Sequence, residues 1–130
     1  MRKKVYLETS IISYLTGRSS PSLLVAAWQN LTTEWWELRR NLFELYVSEL
    51  VLEEANRGDS AAAELRMKAL TGIPLLKLTD SARKLSKKLI SESALPAKAA
   101  DDALHIALAT VHHCDYLLTW NCRHIDNAEK

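Results

Sequence analysis

The sequence predicts an α/β fold: a small parallel sheet with helices on both faces. Two observations carry this. Short apolar runs rich in β-formers alternate with longer stretches whose apolar residues recur every three or four positions. Their order, βα, βαα, βαα, β, needs helical crossovers between parallel strands. With 130 residues and no internal repeat, low-complexity segment or linker, residues 1–130 are expected to form a single domain. Such a chain buries roughly two-thirds of its unfolded surface and needs no disulfide.

Residues 4–7 read as a central strand, apolar on both faces. The chain is then expected to turn and form a helix over residues 21–40, with Leu24, Ala27, Trp28, Leu31, Trp35 and Leu38 as its apolar stripe. Trp35 and Trp36 stand about 100° apart on such a helix. The sequence leaves two readings open for them: one core and one partly exposed tryptophan, or a subunit or partner interface. Residues 42–47 read as the second strand, followed by a helix in "SELVLEEANRGD" with Ser48 as N-cap and Gly58 as stop. "SAAAELRMKALTG" fits another helix closed by glycine, and "IPLLKL" a short strand. Thr79 or Asp80 caps the helix that carries Leu85, Leu89 and Ile90, and Pro96 opens the next segment. "AADDALHIALATVHHC" places Ala103, Ile106, Ala107 and Thr110 on one helical face, and "DYLLTW" reads as the last strand.

Composition excludes several classes. Cys114 and Cys122 are too few for a secreted disulfide framework, so a cytoplasmic location is expected. Glu8 cuts short the apolar run behind "MRKK", which argues against a signal peptide, and no stretch approaches the roughly 20 apolar residues of a membrane span. A formal net charge of +1 does not decide for or against nucleic acid. No Ser-His-Asp triad can be assembled, and with 3 glycines there is no glycine-rich phosphate loop.

The informative residue is Glu8, a carboxylate directly behind a buried strand, where a charge must stay wet, find a partner or hold a metal. Ligands of open parallel sheets bind beyond the carboxyl ends of the strands. Glu8 ends the first strand, Glu54 lies about two turns into the helix after the second, Asp102 starts the helix before the last, and Asn121 follows that last strand. These four oxygen-bearing side chains can meet at one edge. A carboxylate cluster without Cys or His suits Mg²⁺ or Mn²⁺, which lowers the pKa of bound water and neutralises charge on a phosphodiester. Read singly, Asp101 and Asp102 also suit a helix dipole, and Glu53 and Glu54 a solvated face.

In that order, "VYLETSIISYL", "VSELVLEEANRGD" and "DDALHIALATVHHCDYLLTWN" resemble the PIN domain and, within it, the VapC-like toxins of prokaryotic toxin–antitoxin pairs. The resemblance spans residues 5–125. It implies a three-layer α/β/α fold and an Mg²⁺- or Mn²⁺-dependent endoribonuclease, commonly a homodimer held inactive by an antitoxin protein. Carried over residue by residue, it implies Glu8, Glu54 and Asp102 as metal ligands, with Asn121 assisting. Ser10 and Thr119 would be supporting hydroxyls. Glu8 stands where relatives have Asp, one methylene shorter, and Asn121 where many have a fourth Asp, which weakens any second metal site. Relatives also continue with a further strand or helix, whereas this chain stops 9 residues past Asn121. The expected sheet therefore lacks that last C-terminal element, has it shortened, or takes it from a partner.

"HHC" and "NCRH" do not make a zinc site, because the strand between them separates the groups by roughly 20 Å. His105 is expected as a hydrogen-bonded core or rim residue one turn from Asp102, with a supporting role at a metal left open. "RKLSKK", Arg39, Arg40, Arg57, Arg66 and Lys68 read as solvated faces or as a rim for an RNA backbone, with Arg123 and His124 nearest the acids. Trp120 suits either the core or stacking on a base. Two other functions fit the sequence: a noncatalytic PIN-like module that binds RNA or protein, and a nuclease acting on DNA.

Overall fold

The computed structural model describes residues 1–92 and 99–121. Pro96, Cys122, Arg123 and His124, each given a role above, lie outside them. Within them the strands β1 (Lys3–Leu7), β2 (Phe43–Ser48), β3 (Leu75–Leu76) and β4 (Tyr116–Leu118) form one parallel sheet in the order β3-β2-β1-β4. β1 is central: Val5 pairs with Leu45 on one side and with Tyr116 on the other. Its Val5, Tyr6 and Leu7 are all buried, so both faces of the sheet are covered, as the uninterrupted apolar run requires.

The helices are α1 (Thr9–Thr16), α2 (Leu23–Leu38), α3 (Glu49–Ala55), α4 (Ser60–Leu70), α5 (Asp80–Ser91) and α6 (Ala100–Val111), with a 3₁₀ turn at Arg40–Leu42. The chain crosses from β1 to β2 and on to β3 in one direction, then returns over the sheet to β4. Right-handed crossovers therefore set α1–α4 on one face and α5–α6 on the other. The contacts agree, since α1 packs against α2, α3 and α4, and α5 against α6. Ser48, Asp59 and Thr79 cap α3, α4 and α5 by accepting from the amides of Val51, Ala62 and Ala82. Of the residues offered for the α5 cap, Thr79 does the capping and Asp80 opens the helix.

Four expectations need correction. Residues 9–16 are a helix and not a turn: Thr9, Ile11 and Ile12 are buried along α1, and packing overrides the low helix propensity of their branched side chains. The stripe of α2 enters the core only in part: Trp35 packs against it, but the leucines do not. Leu24, Leu31 and Leu38 stay 60%, 55% and 69% exposed, and Thr32 is the buried residue of that helix. Trp35 and Trp36 are both half-buried; Trp35 stacks on Phe43, and Trp36 carries the guanidinium of Arg40. On α6 the buried face is Ala103, Ala107 and Leu108 together with His105, while Thr110 is exposed. β3 and β4 are shorter than the apolar runs that suggested them, because pairing with a neighbour ends before the runs do.

Among the described residues no helix is long and apolar enough to cross a membrane.

Candidate active site

The registers Leu7↔Leu118 and Tyr6↔Tyr46 align the carboxyl ends of β1, β2 and β4 along one edge. Glu8 leaves β1 there as N-cap of α1, and its amide extends the sheet by donating to the Leu118 carbonyl at 3.0 Å. Its side chain is only 6% exposed. Two hydroxyls hold one carboxylate oxygen: Ser10 Oγ donates to Oε1 at 2.5 Å and Thr119 Oγ1 at 2.6 Å. Each hydroxyl is itself oriented by an amide of the segment leaving β4, Trp120 N–H on Ser10 and Asn121 N–H on Thr119, both at 2.8 Å.

Glu54 is held in the same pattern by different groups. It sits in the last turn of α3, and its Oε1 accepts from Thr9 Oγ1 at 2.5 Å and lies 2.7 Å from His105 Nε2. Burial pushes this carboxyl up, but the hydrogen bonds from His105 and Thr9, with Arg57 farther off, outweigh it and hold Glu54 below the usual carboxylate range. Among the described residues no donor reaches Oε2 of either glutamate. Among these residues every fully buried side-chain nitrogen or oxygen has a partner, so neither Oε2 is sealed from solvent. Each glutamate thus has one oxygen fixed and one available.

Ligand-capable atoms of Glu8, Glu54 and His105 lie within 4.8 Å of one another. Asp102, half-buried on the first turn of α6, is outside that group, and its Oδ1 accepts from Asn121 Nδ2 at 2.9 Å. The edge therefore gathers Glu8, Ser10, Thr119 and Glu54 in one connected cluster, with Asp102 and Asn121 as a pair joined to it through Thr119. Two glutamates with one free oxygen apiece, on hydroxyl-rich ground, fit a hard divalent cation.

Sequence reasoning passed over Thr9 and Tyr6, saw Ser48 only as a helix cap, and gave His105 no defined partner. Fully buried, His105 connects Glu54 to Tyr6, whose hydroxyl lies 2.6 Å from Nδ1 and 2.8 Å from Ser48 Oγ. One signal was present: Tyr6 stands two residues before Glu8, on the same face of a strand.

Several other residues have work elsewhere. Trp120 stacks on Trp28 at 5.3 Å and on Tyr14 at 6.0 Å, and its indole N–H donates to Thr32 Oγ1, so it is a packed residue. Arg66 donates to the carbonyls of Ala55 and Arg57 and so closes α3. His112 Nε2 bonds the Lys77 carbonyl, and burial pushes the Cys114 thiol up. A groove of about 510 Å³, lined by Ile11, Leu31, Trp35, Leu118 and Trp120, runs up to Thr119.

The PIN domain family model matches residues 5–130, the span that holds all of these groups. Neither the comparison with curated proteins nor that with solved structures gives a match.

Proposed function

The chain belongs to the PIN domain family, and from that premise we propose that it is a metal-dependent endoribonuclease, the toxin of a toxin–antitoxin pair. The observation that carries this reading is the pair of glutamates at one sheet edge, each with one oxygen fixed by two donors and the other open. Glu8, Glu54 and Asp102 would hold Mg²⁺ or Mn²⁺. When bound, such an ion activates water and neutralises charge gathering on a phosphodiester.

The chain's own residues do the rest. Ser10 and Thr119 keep Glu8 from swinging away, so its longer side chain is already positioned before the ion arrives. Asn121 orients Asp102 through Oδ1. Arg57 pairs with Asp101 at 3.8 Å beside the site, on the surface where an RNA backbone would approach.

A toxin needs a protein that restrains it. Leu24, Leu31 and Leu38 recur every seventh position on α2 and remain exposed, which supports a protein partner on that face, whether an antitoxin or a second copy of the chain. A cytoplasmic location accompanies this reading.

Cleavage of a mixed structured RNA by purified protein tests it, with Mn²⁺, with EDTA, and with Asp102→Asn in parallel. Metal-dependent cutting that disappears in the variant is expected. Equal activity in variant and wild type, or none in either, would move the reading to a noncatalytic PIN-like module, and cutting confined to DNA would move it to a DNA nuclease.

A further inference from the structure

Beneath the open edge, Tyr6, Ser48 and His105 form a file of polar side chains sealed in the core, 0%, 1% and 0% exposed. The hydrolysis proposed above does not use them. The file has a direction, and its donors and acceptors set it. Ser48 Oγ has two polar neighbours, the Val51 amide, which can only donate, and the Tyr6 hydroxyl at 2.8 Å. The hydrogen of Ser48 therefore has one acceptor, the Tyr6 oxygen, and pointing it elsewhere would strand a buried donor. The Tyr6 hydrogen then goes to His105 Nδ1 at 2.6 Å, so that nitrogen carries a lone pair. The ring proton sits on Nε2 and is donated to Glu54 Oε1 at 2.7 Å.

We propose that Ser48, Tyr6 and His105 form a positioning relay: Tyr6 locks His105 as the Nε2–H tautomer, and His105 with Thr9 clamps Glu54 Oε1 so that Oε2 faces the cation. The tautomer stands on the hydrogen-bond geometry alone. The consequence for Glu54 Oε2 rests on the metal-dependent reading. His105 is thereby a residue that acts through Glu54. Were Tyr6 to donate to Ser48 instead, Nε2 would be free to bind the ion directly, as its distance to the two glutamates permits. The Ser48 hydrogen would then have no acceptor.

The test combines ¹⁵N NMR of the histidine ring nitrogens in the metal-free protein with Mn²⁺ affinity by calorimetry, for wild type and Tyr6→Phe. In the wild type His105 is expected to carry its proton on Nε2 alone. In Tyr6→Phe the single tautomer is lost and Mn²⁺ affinity falls about 10- to 100-fold. Should Tyr6→Phe not fold, His105→Gln against His105→Leu replaces it: the amide can still donate to Glu54, so Gln should retain affinity that Leu loses. A wild-type ring protonated on Nδ1 alone, or on both nitrogens, would overturn the relay. Wild-type Mn²⁺ affinity in a folded Tyr6→Phe or His105→Leu protein would do the same. A wild type with the expected tautomer that takes no Mn²⁺ would uphold the lock and overturn both the metal reading and the role given to Oε2.

Discussion

Glu54 and Asp102 reach the same edge from opposite kinds of ground. Behind Glu54 lies a closed chain of buried groups, His105, Tyr6 and Ser48, and every link is a side chain from a different element. Beside Asp102 lie Asn121, past the end of β4, and Asp101, whose partner Arg57 is itself 63% exposed. The first arrangement fixes a carboxylate in advance at the cost of burying polar groups that must all be paired. The second sets a half-buried carboxylate next to solvated charges. Preorganisation of a ligand calls for the first kind, with its rotamer locked by supporting hydrogen bonds.

Breaking this contrast should give unequal results. Asp102→Asn is expected to lower cleavage about a hundred- to a thousandfold, taking loss of one preorganised electrostatic group as the scale. Its metal-free melting temperature should be unchanged or higher, because removing one of several clustered acids relieves repulsion. Equal loss of fold and activity would show that Asp102 is structural. On the buried side the order reverses. His105→Leu leaves the Tyr6 hydroxyl and Glu54 each short of a partner in the core, and should cost about 2–4 kcal/mol in denaturant unfolding. A loss under about 0.5 kcal/mol would mean that the buried chain is not rigid.

Titration sharpens the comparison further. The folded Glu54 carboxyl is held below its unfolded value of about 4.3, so its contribution to stability is present above that pH and lost as pH falls through the folded value. Glu54→Gln should flatten the acid limb of the stability curve; an unchanged limb would contradict the clamp. The smallest effect belongs to the exposed side, where Arg57→Ala should move stability by no more than about 0.5 kcal/mol, because the Arg57–Asp101 pair is solvated at both ends. A larger change in the same denaturant experiment would show that the open half is more tightly coupled than its exposure implies.

Much of the fold was legible because it is written in contiguous runs. β1 with the Glu8 that follows it, α3 and α6 each keep an apolar run and an acid within one short segment, so the family pattern and the sheet edge could be read together, even though the buried face of α6 was misplaced. α1 was not legible, since "TSIISYLT" is rich in branched side chains and becomes helical only when Ile11 and Ile12 find the core. The orientation of α2 was misread for a related reason. Periodicity reports that a helix has an apolar stripe, but here the core takes Thr32 and leaves three leucines outside. The acids could be proposed from sequence because each follows or opens an element at the sheet edge, whereas the supports of Glu54 come from β1, β2 and α6 and meet only in three dimensions. Which oxygen each glutamate keeps open is a matter of side-chain geometry that spacing cannot carry.

The central claim is that the two open glutamate oxygens form a place for a divalent ion, and melting with and without Mn²⁺ tests it most directly. For wild-type protein, Mn²⁺ at about 100 times its dissociation constant should add about 2.7 kcal/mol of stability. The rise should vanish in the Glu8→Gln, Glu54→Gln double variant. A wild-type melting temperature that does not move at high-millimolar Mn²⁺ would contradict the account.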